Sequence, residues 1–233
     1  MMNSDLQALF TTLEMAALTT VILLIIGTPL AWFLAKMTNR FKVIIEAVVA
    51  LPLVLPPTVL GFYLLIAFSP ENLPGQLWQQ TTGQQLAFSF SAIVIGSVLY
   101  SLPFVVQPLQ KAFEQLGDSL LEAGALLGAG PFDRFFSIVL PLTKASFITA
   151  ASLGFAHTVG EFGIILMIGG NIPGETRVLS IALFDHVEAF DYARAHIIAI
   201  SLLIASMILL ASIYLLNLPK NKVLANKQRR GQI

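Results

Sequence analysis

The sequence contains no cysteine. Disulfides, cysteine-ligated zinc and a thiol nucleophile are thereby excluded. Charge is also scarce. Only 11% of the 233 residues are Asp, Glu, Lys or Arg, against about 25% in ordinary proteins. Thirteen basic and thirteen acidic residues cancel, so no basic surface is available for nucleic acid. No metal site is expected. The first fifteen residues, MMNSDLQALFTTLEM, lack a positive stretch. The first apolar segment is therefore expected to stay as a span, not to be cleaved as a signal peptide.

What is present is apolar. Hydrophobic residues make up 56% of the chain, and the mean hydropathy is +0.82. A membrane helix needs roughly 20 mostly apolar residues. Five stretches qualify: 16–35, 43–68, 87–109, 145–169 and 196–217. A sixth piece at 178–190, VLSIALFDHVEAF, is too short and too acidic to span alone. It reads as a partly inserted or interfacial helix. The expected fold is all-α: a polytopic membrane helix bundle, 1–233 as a single domain, with five full spans plus that short helix.

The basic residues orient this bundle, because cytoplasmic loops collect Lys and Arg. Lys36, Arg40 and Lys42 follow the first span. Lys111, Arg134 and Lys144 lie in the loop after the third, and Lys220, Lys222, Lys227, Arg229 and Arg230 follow the fifth. These are eleven of the thirteen, all on one side; Arg177 and Arg194 fall on the other. The N-terminus is therefore expected outside and the C-terminus inside. No long soluble domain remains, so nucleotide hydrolysis requires another subunit. The run Gly169 to Thr176 imitates a phosphate loop, but Glu175 stands at the lysine position. A carboxylate there repels phosphate.

The loop 111–144 carries charge and glycine between two apolar spans. Lys111, Glu114, Gln115, Asp118 and Glu122 share one face of a helix over 111–127, and Phe113, Leu116, Leu120, Ala123 and Leu127 share another. Gly128 suits the left-handed position that ends a helix. Pro131 suits the first turn of the next, and Asp133 its positive end. A glycine-jointed pair of helices results, either lying on lipid headgroups or projecting toward a protein.

The spacing favours the protein. Glu122-Ala123-Gly124, three residues, Gly128, nine residues and Ile138-Val139-Leu140-Pro141 resemble the cytoplasmic EAA loop of ABC-importer permeases, with Gly124 where the family usually has alanine. The resemblance implies a coupling helix that docks on a cytoplasmic ABC ATPase. Glu122, Ala123, Gly124, Gly128, Arg134, Ile138, Leu140 and Pro141 are then the ATPase-coupling residues.

Within the spans, Pro52, Pro56 and Pro57 remove three backbone donors in six residues and break the helix. Lipid tolerates no open backbone, so the break must face protein or a wet cavity. Ser101-Leu102-Pro103 repeats the theme more weakly. His157, Thr158 and Glu161 place ionisable groups inside the fourth span. They are either gate elements or a buried structural His–Glu pair at i, i+4. No Lys or Arg lies deep in a span, which suits a weakly binding path for an anion. Outside, Asn171, Pro173, Gly174 and Arg177 are candidate contacts for an external binding protein.

The segments LPLVLPPTVLGFYLL (51–65) and AHTVGEFGIILMIGGNIPGETR (156–177) are similar to molybdate and tungstate ABC permeases; sulfate permeases are the nearest rival. The resemblance implies a homodimeric pore in the inner (plasma) membrane of a prokaryote. Its partners would be two ATPase subunits, which use the ATP and Mg, and an extracytoplasmic substrate-binding protein; the chain itself needs no cofactor. A secondary transporter would carry paired internal repeats, and none is visible. An intramembrane protease would pair a serine with a base, and His157 has no such signature beside it.

Overall fold

A computed structural model describes residues 2–216. The basic cluster Lys220, Lys222, Lys227, Arg229 and Arg230, and the last residue of the stretch 196–217, lie outside the described residues. Every regular element among the described residues is helical. The order is α1 (Met2–Lys36), α2 (Phe41–Ala50), a 3-10 turn (Leu51–Leu53), α3 (Pro57–Phe68) and α4 (Leu73–Thr82). Next come α5 (Phe90–Leu116), α6 (Ser119–Leu126), α7 (Pro131–Arg134), a π-helical turn (Phe135–Val139) and α8 (Leu140–Leu142). The described residues close with α9 (Lys144–Val159), α10 (Gly163–Gly169), α11 (Leu179–Glu188) and α12 (Tyr192–Leu216).

Three of these helices, α1, α5 and α12, are each long and apolar enough to cross a membrane, and two bent helix pairs reach that length jointly. α5 is central and packs on α1, α9 and α10. At one end Met15, Ile93, Ile164, Ile165 and Ile168 form a buried cluster. Toward the other, Leu23, Leu34, Val105, Val106, Leu109 and Phe113 form a second, with Val139 and Ala150 from the later helices. Glycine brings these helices close, as membrane packing favours. A Cβ on Gly154 would lie 2.9 Å from Val105 Cγ2, and one on Gly61 would lie 2.8 Å from Met167 Cβ.

One expectation holds and three change. The prolines at 52, 56 and 57 break the stretch 43–68 as expected, and its halves meet at 104°, because the last helical bond before the break is Leu55 N–H to Leu51 O and neither Pro56 nor Pro57 can donate one. The stretch 145–169 also breaks. α9 ends at Val159, and α10 restarts at Gly163, with Glu161 drawn sideways into the core. Pro103 breaks nothing. α5 runs unbroken through Pro103 and Pro108, held by the helices around it. The helix expected over 111–127 is divided at Gly117, which takes φ +70°. α11 is ten residues long, about 15 Å, half of what a membrane core needs.

Candidate functional site

Three groups of residues singled out in the sequence occupy three levels of the fold. The innermost surrounds Glu161, which is only 4% exposed. A buried carboxyl requires hydrogen-bond donors, and α5 supplies them. Ser97 Oγ donates to Glu161 Oε2 and Ser101 Oγ donates to Oε1 at 2.7 Å. His157 Nδ1 lies 2.8 Å from Ser101 Oγ and 3.4 Å from Glu161 Oε1. Its ring stacks on Phe104 at 4.0 Å and tilts against Tyr100. Thr158 turns its hydroxyl back to Gly154 O at 2.9 Å. From α11, Ser180 Oγ donates to the main-chain oxygen of Glu161 at 2.5 Å.

Glu161 therefore ties α5 and α11 to the break between α9 and α10. The expected i, i+4 pairing of His157 with Glu161 is present, and Ser101 joins it as a third member. Ser97 and Ser180 were not singled out in the sequence. Serine in an apolar helix is common, and only the fold aims these two at one residue, Ser97 at the Glu161 carboxyl and Ser180 at its main-chain oxygen. The cluster is satisfied from within. Its chemistry is that of a cross-brace, not of a ligand for an anion.

The proline break lies beside it. Pro56 precedes α3 with ψ +135°, and Pro57 opens the helix. A Cβ on Gly163 would sit 3.2 Å from Pro57 Cβ, so the two broken segments touch. Pro52 lies in the 3-10 turn. Around it Leu51, Leu53 and Val54 are exposed.

The second group is the loop 111–144. Its base is tied to three helices. Lys36 pairs with Asp118, and Lys42 with Glu114 at 2.7 Å. Gln110 Nε2 donates to both Glu46 and Glu114. Apart from the i, i+4 bond of Gln110 to Glu114, these links span more than sixty residues of sequence and carry no local signal. The joint then forms at Gly128, with φ +87°. Gly128 N–H donates to Ala125 O at 2.9 Å and Ala129 N–H to Gly124 O at 3.0 Å, the paired bonds of a left-handed helix end.

The two arms fold onto each other at Gly124. A Cβ there would meet Ile138 Cδ1 at 2.8 Å and Arg134 Cγ at 3.3 Å. Arg134 also donates to Leu121 O at 3.2 Å. Gly124, Ile138 and Arg134 thus clasp the loop to itself, and Gly124, expected among the coupling residues, is buried inside that clasp. Glu122 and Ala123 are exposed, as are Pro141 and Leu142, while Leu140 is half-buried. Of the apolar tips, only Leu127 figures in the sequence reading, as part of a helix face. Leu126 and Leu127 are each 89% exposed, and Phe132 and Phe136 stand out beside them. Four large apolar residues around a glycine joint, outside any span, were the available signal.

The third group is the loop after α10. Asn171 Nδ2 donates to Asp185 at 2.9 Å, and Arg177 reaches the same carboxyl through Nε at 3.1 Å and Nη2 at 2.9 Å. Thr176 Oγ1 donates to Gly169 O at 2.6 Å and accepts from Ile172 N–H. Arg177 is consequently a strut between the loop and α11. Pro173 and Gly174 remain exposed at its turn.

Known proteins match this arrangement. The family model described as "Binding-protein-dependent transport system inner membrane component" matches residues 27–220. The molybdenum transport system permease protein ModB of Azotobacter vinelandii is 60% identical over 185 residues, 79% of this chain and 82% of that one. The probable sulfate transport system permease protein cysT of Anthoceros angustus is 35% identical over 183 residues, 78% of this chain and 63% of that one. Among solved structures, a chain of a bacterial alginate ABC transporter, crystallised with its alginate pentasaccharide-bound periplasmic protein, superposes with a TM-score of 0.71. It is 14% identical and covers 91% of this chain and 76% of that one, a likeness of fold. The chain belongs to the binding-protein-dependent transport system inner membrane component family, whose members are the non-catalytic membrane permeases of ABC importers.

Proposed function

We propose that this permease imports molybdate or tungstate, as a homodimeric pore driven by two cytoplasmic ABC ATPase subunits. The N-terminus lies outside and the C-terminus inside the inner (plasma) membrane of a prokaryote. The observation that carries the coupling role is the loop 119–142. It is braced at its base, clasped at Gly124, and tipped with Leu126, Leu127, Phe132 and Phe136 in the open. A membrane chain exposes such residues beyond its spans only where something covers them. An ATPase groove on the cytoplasmic side is that cover.

The path runs along the exposed proline break of Leu51 to Pro57, where a second copy closes the unsatisfied side. Glu161, held by its own chain, stays out of contact with the anion and fixes the wall behind the path. An extracytoplasmic binding protein delivers the oxyanion to the end bearing Pro173 and Gly174. ATP and Mg are used by the ATPase alone. The substrate assignment rests on the higher identity to the molybdenum permease than to the sulfate permease. Both substrates are tetrahedral dianions, and the cavity beside Leu53 offers either one the same Gln107 amide and Lys111 ammonium. Uptake by proteoliposomes holding this chain, its ATPase and its binding protein decides the matter. Labelled molybdate should be displaced by tungstate and not by sulfate; preferential displacement by sulfate overturns the assignment.

A further inference from the structure

A cavity of about 590 Å³ opens beside the start of α5, lined by Thr11 and Glu14 of α1, Gln84 to Ser91 apart from the buried Leu86, and Gly174 and Glu175 of the loop after α10. Its chemistry does not suit the transported dianion. The lining holds two carboxylates, Glu14 and Glu175, and no Lys, Arg or His. Neither carboxylate has an ion pair among the described residues. The positive end of α5 opens on the same space, but it amounts to roughly half a charge, and Ser89 already caps it by accepting from Ala92 N–H at 3.2 Å.

A second observation points to an occupant. Thr11 is only 8% exposed and lines the cavity. Its neighbour Thr12 turns its hydroxyl back to Ala8 O, and Thr20 does the same to Ala16 O. Thr11 makes no such bond among the described residues, so its hydroxyl is open to an occupant of the cavity it lines.

The wall is also held in advance. Phe88 takes φ +61°, a costly conformation for a bulky residue. Its N–H is fixed to Ile168 O at 2.8 Å. A bare metal ion is a poor fit: the described residues hold no group of three or more metal-ligating His, Cys, Asp or Glu, and the space far exceeds one ion. A guanidinium or ammonium group on a side chain fits better. It brings several donors to the carboxylates, the Gln84 and Gln85 amides and the open hydroxyl.

We propose that this cavity receives a basic side chain of the extracytoplasmic binding protein. Glu14 and Glu175 hold its charge, and Thr11 completes its hydrogen bonds. This rests on the importer reading above. The acidic cup sets where the binding protein docks, and it keeps the released oxyanion from lodging at the mouth.

The test uses the permease with its ATPase in lipid nanodiscs and the molybdate-binding protein of the same system. Affinity is measured at low and high salt for the unmodified transporter, for Glu14→Gln with Glu175→Gln, and for Glu14→Lys with Glu175→Lys. The lysine pair should weaken binding at least about tenfold at low salt, and screening should shrink that loss at high salt. The glutamine pair should fall between. ATP hydrolysis without binding protein should stay unchanged, which excludes misfolding. Unchanged affinity of the lysine pair, or a loss independent of salt, overturns the proposal. Failure of the unmodified transporter to bind that protein at all overturns the importer reading instead, and is recognised before any variant is made.

Discussion

Gly128 offers the sharpest test of the loop, because the structure separates it from its neighbour Gly130. Gly128 sits at φ +87°, and nothing lies within 4 Å of where a Cβ would go. The cost of replacing it is therefore conformational and not steric. Alanine in a left-handed position costs roughly 1–2 kcal/mol. Two hydrogen bonds hold the joint, Gly128 N–H to Ala125 O and Ala129 N–H to Gly124 O, each worth about 0.5–1.5 kcal/mol net. The penalty is comparable to what holds the joint closed. A shift of 1–2 kcal/mol changes its population by a factor of about 5–30. Gly130 has φ −68° and ψ 167°, ordinary for any residue before proline, and nothing lies within 4 Å of its Cβ position either.

ATP-driven uptake in proteoliposomes should therefore fall in the order Gly128→Asn, Gly128→Ala, Gly128→Val, since asparagine tolerates this region best and β-branched residues worst. Gly130→Ala should transport normally. Membrane insertion should be unaffected throughout, since the joint lies outside the spans. Normal uptake by Gly128→Val refutes the reasoning, and so does an equal loss in Gly130→Ala.

Four further outcomes are expected. Glu161→Ala leaves the Ser97 and Ser101 hydroxyls without their acceptor and should cost about 2–4 kcal/mol; thermal unfolding in detergent measures it, and Glu161→Gln should lose less. Gly61→Leu forces a side chain into Met167 and the Ile164 backbone, and should destabilise the α3–α10 contact by about 1–3 kcal/mol or more, read as a lowered Tm. Leu126→Glu with Leu127→Glu should leave Tm nearly unchanged, as surface changes do, within about 0.5 kcal/mol; co-purification of the ATPase subunit should be lost. Asp185→Ala frees Asn171 and Arg177 together, and limited proteolysis should then cut between residues 170 and 178 faster than in the unmodified chain.

What could be read from the sequence was what repeats or breaks locally. Apolar runs near twenty residues marked α1, α5 and α12, because a lone helix must meet the bilayer by itself. The proline cluster at 52–57 marked a real break, because three missing donors act whatever surrounds them. Pro103 looked alike on paper and does nothing to α5. The difference is tertiary: α5 is gripped along its length by α1, α9 and α10, while the segment around Pro56 has one face free. The break at Gly160 to Phe162 was hidden for the opposite reason. Glu161 stands out in the sequence as an ionisable group, but nothing local marks a break there until Ser97, Ser101 and Ser180 converge on it from two other helices. The loop's spacing was legible, yet the ion pairs of Lys36 and Lys42 that fix its base were not.

Gly124 shows how a local rule and a packed site pull apart. By propensity alone, glycine in a helix is a defect of about 1 kcal/mol relative to alanine, and a looser arm follows. In the fold, the missing Cβ is what lets Ile138 and Arg134 close on α6. Alanine would meet only the mobile end of Ile138 at 2.8 Å and the Arg134 stem at 3.3 Å. A small rotation of Ile138 relieves the first contact, and the helix gains propensity. Alanine here should therefore be near neutral. A larger side chain should prise the arms apart and take Arg134 from Leu121 O. The position selects for smallness and not for glycine as such, which is why a motif usually written with alanine is satisfied here without it.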